Sequence, residues 1–284
     1  KKVAFRATRA GTTLGAGASC DVVLEDSYLS PAHAVIAVDE AGRVVLTSSA
    51  RTYWLIGQGG KLTTGMHPLC KSQVVKMGAC SLQVTDTCVK PREREEDKDT
   101  SDRVAEAGEV CYICFDDSST KENALVPSPC SCSKLVHRAC LSRWIATKGS
   151  RLCSICKSKL PIDFTVDAPY LVMQVVRHMR GLHWAGEREY IISFNQRTSN
   201  VVTVGSGTDC DLVLPDPSLS RCHARVVYTN GCFNVEDLSS SAGTFLKLVA
   251  PHTLPMDEVA QFKMGRTMLS LKVKRKKSML PWRN

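Results

Sequence analysis

Residues 111–156 read CYICFDDSSTKENALVPSPCSCSKLVHRACLSRWIATKGSRLCSIC and hold seven of the chain's 14 cysteines and one of its seven histidines. Cys111 and Cys114 form a CxxC pair, 15 residues follow, and then come Cys130-x-Cys132 and His137-x-x-Cys140. After 12 more residues the stretch closes on Cys153 and Cys156. Thiolate and imidazole are donors that tetrahedral zinc takes, and eight of them in four close pairs can close two such sites. A disulfide framework would leave the histidine without a role. The spacing therefore predicts two Zn2+ ions held by Cys111, Cys114, Cys130, Cys132, His137, Cys140, Cys153 and Cys156. Chains well below about 70 residues usually need such staples, and structural zinc supplies about 10–16 kcal/mol of apparent binding energy that becomes folding energy. Eight protein ligands leave no open coordination position, which argues against a metal-dependent hydrolase.

The stretch resembles a RING-CH (RING-variant) finger, with plant-homeodomain fingers as the competitor for the same ligand order. A single residue separates Cys130 from Cys132, Trp144 follows Cys140 by four positions, and Arg151 stands where a plant-homeodomain finger carries its Trp. The four-residue gap between Cys132 and His137 is shorter than the RING-CH pattern usually has. The resemblance implies an interleaved cross-brace, with Cys111, Cys114, His137 and Cys140 on one zinc and Cys130, Cys132, Cys153 and Cys156 on the other. It also implies a ubiquitin ligase module that recruits a ubiquitin-conjugating enzyme. Ile113 matches the family's apolar contact, Trp144 its aromatic groove residue, and Lys157 the cationic position that hydrogen-bonds ubiquitin. The Pro that follows the seventh ligand in many RING fingers is Ser154 here.

On either side of this stretch the chain repeats itself. LGAGASCDVVLEDSYLSPAHAVI (14–36) and VGSGTDCDLVLPDPSLSRCHARV (204–226) share 11 of 23 positions. The likeness resumes at Leu46–Thr52 against Leu238–Thr244, and at Lys76-Met-Gly78 against Lys263-Met-Gly265. Each copy consists of short β-runs between turn residues, in the second Val201–Val204, Asp211–Leu214, Ala224–Tyr228 and Phe233–Glu236, which predicts a β-sandwich or barrel. The order Gly, Cys-Asp, Ser-x-x-His, Ser-Ser-x-Gly-Thr resembles the forkhead-associated (FHA) domain, an all-β sandwich that recognises phosphothreonine. In the second copy this resemblance leaves Ser220, Arg221 and Ser241 as phosphopeptide donors, while Ser206 stands at the usual Arg position. In the first copy Ala16 and Pro31 replace the corresponding donors, so that copy is expected to be stripped of phosphate chemistry. His33 and His223 match a histidine that braces a loop instead of touching ligand.

The whole chain thus reads as mainly β: two FHA-like sandwiches at 1–88 and 188–275 flank a small α+β zinc finger at 109–160. Residues 89–108 form a charged linker too poor in apolar residues to bury a core. Within 161–187, Ala168–Leu182 carries Leu171, Val172, Val175, Val176, Met179 and Leu182 at three-to-four spacing, which predicts an amphipathic helix. Residues 276–284 are a basic tail. Its neighbours Lys272, Lys274 and Arg275 contribute to the net charge of +9 of these 284 residues, and we infer no nucleic-acid partner from it. No run reaches the 18 or more apolar residues of a membrane span. The seven cysteines outside the finger form no close pair and are expected to be buried free thiols of an intracellular, soluble protein, cytoplasmic or nuclear. The expected activity is that of a ubiquitin ligase whose FHA-like repeats dock partners, including phosphothreonine-containing ones. The alternative is a zinc-stabilised interaction scaffold or histone-tail reader without ligase activity.

Overall fold

A computed structural model describes residues 3–59, 62–63, 65–90, 108–120, 123–148, 151–162, 168–177, 189–194 and 199–275. Residues 91–107, most of the linker expected at 89–108, and the tail expected at 276–284 lie outside them. The first repeat supplies β1 (Thr12–Gly15), β2 (Val22–Val23), β3 (Ala34–Val38), β4 (Val44–Ser48), β5 (Thr52–Gln58), β6 (Leu62–Thr63), β7 (His67–Pro68), β8 (Val74–Met77) and β9 (Cys80–Cys88). The finger contributes β10 (Leu125–Pro127), β11 (Leu135–His137) and α1 (Arg138–Lys148). Then follow β12 (Tyr170–Arg177), β13 (Glu189–Ser193), β14 (Val201–Gly205), β15 (Leu212–Val213), β16 (Ala224–Thr229) and β17 (Cys232–Asp237). The chain ends with β18 (Thr244–Lys247), β19 (His252–Thr253), β20 (Val259–Met264) and β21 (Thr267–Lys272).

The two repeats do not close on themselves. The first five-stranded sheet runs β19-β4-β3-β1-β2 and the second β15-β14-β16-β17-β7, so each takes its edge strand from the other repeat. Both face one nine-stranded sheet ordered β13-β12-β9-β8-β18-β5-β20-β21, with β6 on β5. Leu14, Ile36 and Leu46 of the first repeat share a core with Leu254, Phe262 and Met264 of the second. Val202, Val226 and Phe233 of the second repeat share theirs with Met77, Leu82 and Val84 of the first. Each sandwich is therefore the front half of one repeat closed by the last strands of the other. The exchange is two-fold symmetric in register: β5 and β18 run antiparallel with Trp54 opposite Leu246, flanked by Leu55–Phe245 and Tyr53–Lys247. At this junction His67 and His252, equivalent in the repeats as His-Pro-Leu and His-Thr-Leu, both meet the Trp54 ring, at 4.7 and 4.3 Å between centroids.

Residues 168–182 correct the sequence expectation. Tyr170–Arg177 is a strand, β12, and residues 178–182 lie outside the described part. Leu171 and Met173 face the second sandwich's core, whereas Tyr170 and Val172 pack with Ile162 and Ala168 on the opposite face. A strand buried on both faces loses the alternation that would betray it, and its apolar run then mimics helical spacing. Val172, Val175 and Val176 are β-branched, which favours the extended form. Strand β12 pairs with β9 so that Tyr170 sits opposite Cys88, so the finger is an excursion between two neighbouring strands.

The remaining cysteines also depart from expectation: Cys80 is buried, but Cys70, Cys222 and Cys232 are exposed. These three sit on loops or at a strand start, where no core forms around them. Cys80 has a further consequence. In the first sandwich Asp26 Oδ2 accepts the amides of Arg266 (2.7 Å) and Thr267 (3.0 Å) and the Thr267 hydroxyl (2.9 Å). In the second sandwich Cys80 stands where Thr267 stands, and the equivalent Asp216 is buried with Oδ2 unpartnered. Burial, and after it the Asp216 charge, push the Cys80 thiol up to about 12. Cys80→Thr restores the missing donor and should stabilise the fold by about 1–3 kcal/mol, the cost of an unsatisfied buried acceptor. A rise in the urea midpoint at unchanged slope reads this out; no rise would show that Asp216 is satisfied by other means.

Candidate metal centres and pocket loops

In each zinc loop a CxxC turn is closed by backbone bonds. Phe115 N donates to Cys111 O (2.8 Å) and Lys157 N to Cys153 O (3.1 Å), with Phe115 and Lys157 both at φ 61°. The β10–β11 hairpin carries Cys130 and Cys132 in its connecting loop, ends on His137, and leads directly into α1, whose first turn holds Cys140. Leu141 and Ile145 on α1 pack with Leu125, Val136 and Leu160 into the finger's small core. That places one ligand from a strand end and one from a helix turn beside the first CxxC.

The donors converge in two interleaved groups: Cys111, Cys114, His137 and Cys140, and Cys130, Cys132, Cys153 and Cys156. Within each group the donor atoms lie within 4.8 Å of one another. A zinc tetrahedron with Zn–S bonds of about 2.3 Å has edges of about 3.8 Å. Cys130–Cys153 and Cys132–Cys153 stand at 3.7 and 3.8 Å, while Cys130–Cys132 is tighter at 3.1 Å. His137 Nδ1 faces Cys114 Sγ (3.3 Å) and Cys140 Sγ (3.8 Å), and its Nε2 donates to Ser118 O at 2.5 Å. This outer bond fixes the ring so that Nδ1 is the ligand nitrogen. Burial opposes ionisation of Cys111, yet N–H bonds from His137, Cys114 and Ile113 bring it down to about 7. Cys140 goes the other way, to about 12, through burial and then its neighbours Cys114 and Cys111. Thiolates packed so closely are stable together only around a cation, and both groups fit Zn2+.

The finger is anchored to the sheet. Arg151 forms a two-pronged bond to Glu189 of β13 (Nε–Oε2 2.7 Å, Nη2–Oε1 2.9 Å) and donates to Leu160 O. Burial works against the Glu189 charge, but the bonds from Arg151 and its charge hold the carboxyl below its usual range. Ile191 of the same strand packs against the finger core. Both fork and packing make the finger's orientation part of the fold.

In the loops of the second repeat, Ser241 N donates to Ser220 Oγ (3.0 Å) and the two hydroxyls stand 3.2 Å apart. Arg221 is exposed beside them, its carbonyl accepting Gly207 N (3.0 Å). An added Cβ on Gly205 would stand 2.0 Å from that carbonyl, so a side chain there is sterically barred. His223 Nδ1 accepts Ser220 N (3.2 Å), and Nε2 faces Gly243 O (3.3 Å). Burial holds the His223 pKa below its usual value, and the neutral ring braces two loops. In the first repeat His33 binds Ser30 N in the same way, but the Ser49 hydroxyl turns to Ala32 O (3.1 Å) and Pro31 stands at the Arg221 position.

Protein-family models match the FHA domain over residues 12–78 and 202–260 and the RING-variant domain over residues 111–156. The chain carries a RING-variant finger flanked by two FHA domains. No curated protein and no solved structure matches it. Among the described residues no helix is long and apolar enough to cross a membrane.

On the RING-variant finger, Ile113 and Trp144 are half-buried against the same core. Lys157 is exposed and its ammonium donates to Ser154 O (2.8 Å). Sequence reasoning missed Phe115 and Ile155, which are 76 % and 50 % exposed. Their signal was positional: Phe115 directly follows the first CxxC turn and Ile155 lies inside the second.

Proposed function

We propose that the protein is a RING-variant ubiquitin ligase whose second FHA domain docks phosphothreonine-containing partners. The observation that carries this reading is the pair of interleaved four-donor groups, with Ile113 and Trp144 held at the surface of the one core between them. Bound zinc shapes the finger and takes no part in the reaction, because all its positions are filled by Cys and His. Ile113 and Trp144 form the face for the ubiquitin-conjugating enzyme, extended by the exposed Phe115 and Ile155. Lys157 in this reading hydrogen-bonds ubiquitin. The ligase forms no covalent intermediate. It holds the enzyme's ubiquitin thioester where a substrate lysine can attack, an effect of proximity and orientation. Ser220, Arg221 and Ser241 bind the phosphate dianion through one charged and two hydroxyl donors. With Ser206 in place of the usual Arg, affinity is modest.

Ile113→Ala and Trp144→Ala are each expected to abolish ubiquitin transfer while both zinc ions stay bound, since apolar anchors of this kind contribute about 2 kcal/mol or more to docking. The assay is autoubiquitylation by the full chain against a panel of conjugating enzymes, with zinc measured in parallel. Absence of transfer by the unmutated chain with every enzyme makes it a zinc-stabilised scaffold instead.

A further inference from the structure

We propose that the first FHA domain completes the second one's pocket: Gln58 and Gly59 hold the Ser240–Ser241 loop, which makes Gln58 a positioning residue for the phosphothreonine ligand. The inference rests on the assignment of Ser220, Arg221 and Ser241 made above.

Strand β5 carries Gly57 and Gln58 alongside β18 of the other repeat. Gln58 Nε2 donates to Ser241 O at 3.0 Å, and Gly59 N donates to Ser240 O at 2.9 Å. Gly57 presses on Asp237 so closely that an added Cβ would stand 2.4 Å from the Asp237 Cβ. Asp237 in turn accepts Ser240 N (3.0 Å), Ser240 Oγ (2.6 Å) and Thr244 Oγ1 (2.6 Å). The first repeat therefore grips the segment 237–244 at three points, and that segment presents Ser241 to Ser220. Donors that are already ordered bind a dianion without the cost of immobilising them.

Among the described residues, the bonds from Gln58 and Gly59 have no counterpart in the other direction. Aligned on Thr52 and Thr244, the residues equivalent to Gln58 and Gly59 are Ala250 and Pro251. Ala250 has no side-chain donor and Pro251 has no N–H. The first repeat, with Ala16 and Pro31 in its own pocket, thus gives order to the second repeat's loop and receives no equivalent bonds.

The test uses the full chain. A degenerate phosphothreonine peptide library selects the tightest-binding peptide, which is then titrated by calorimetry. Gln58→Ala should weaken that peptide about tenfold, the usual scale for one lost hydrogen bond and the order it imposes. Zinc content and melting temperature should stay unchanged, and Gln58→Lys, which keeps an N–H donor, should recover most of the affinity. Equal affinity for Gln58→Ala overturns this inference alone. So does a loss that tracks melting temperature and that Lys does not rescue. If the unmutated chain binds no phosphothreonine peptide, the pocket assignment falls and this inference falls with it.

Discussion

Cutting the chain once within residues 91–107 is expected to leave the two fragments bound to each other, separable only in denaturant. Neither fragment owns a complete sandwich. The N-terminal piece holds β1–β9 and lacks β19–β21, on which Leu14, Ile36 and Leu46 pack. The C-terminal piece holds the finger and β12–β21 and lacks β7–β9, which bring Met77, Leu82 and Val84 to Val202, Val226 and Phe233. Two cores and the β5–β18, β8–β18, β5–β20, β9–β12, β4–β19 and β7–β17 ladders span the cut. Such an interface is a domain core divided in two, the obligate kind, so the fragments are expected to stay associated in native buffer. Size-exclusion chromatography of the cleaved protein in native buffer reads this directly. Elution as two separately folded pieces would show that each repeat closes on itself. For the same reason residues 168–275 expressed alone should not give a folded monomer, because the strands that cover their apolar face are missing.

Loss of one ligand from the finger should have a comparably large but local effect. The unmutated chain is expected to carry two zinc ions, and Cys132→Ala or His137→Ala should unfold residues 109–160. Among the described residues the finger's buried apolar residues number only a handful, including Leu125, Val136, Leu141, Ile145 and Leu160. Against that small core the roughly 10–16 kcal/mol of apparent zinc binding dominates. Because the donor pairs interleave, losing one site loosens the hairpin and helix that carry the other. The sandwiches hold their cores without any of these residues, so their amides should stay protected from hydrogen exchange while those of β10, β11 and α1 exchange freely. Elemental analysis gives the metal count. One zinc or none in the unmutated chain would refute the cross-brace, and a protected α1 in Cys132→Ala would show that apolar packing suffices.

Much of the finger and of the β class is legible in the amino-acid sequence. Ligand pairs announce themselves because zinc chelation needs two donors within a turn of each other, and such spacing is a local property of the chain. The β-runs of the second repeat, Val201–Val204 and Ala224–Tyr228, are visible because they are short, rich in β-branched residues and bounded by turn residues. Strand β12 reads as a helix because Tyr170–Met173 are buried on both faces, and the second face belongs to packing that no local pattern reports. Phe115 and Ile155 gain meaning only through their exposure in the folded finger.

The amino-acid sequence by itself determined the eight candidate ligands, the duplication and the β class of both repeats, because each depends on residue type at short range. The tertiary structure alone decided which half of one repeat closes which half of the other. The two repeats carry nearly the same apolar pattern, so their last strands, Val74–Cys88 and Val259–Lys272, fit either partner equally well by pattern. What separates the two pairings is chain connectivity and the long-range register of Trp54 against Leu246, and neither is written in any single stretch.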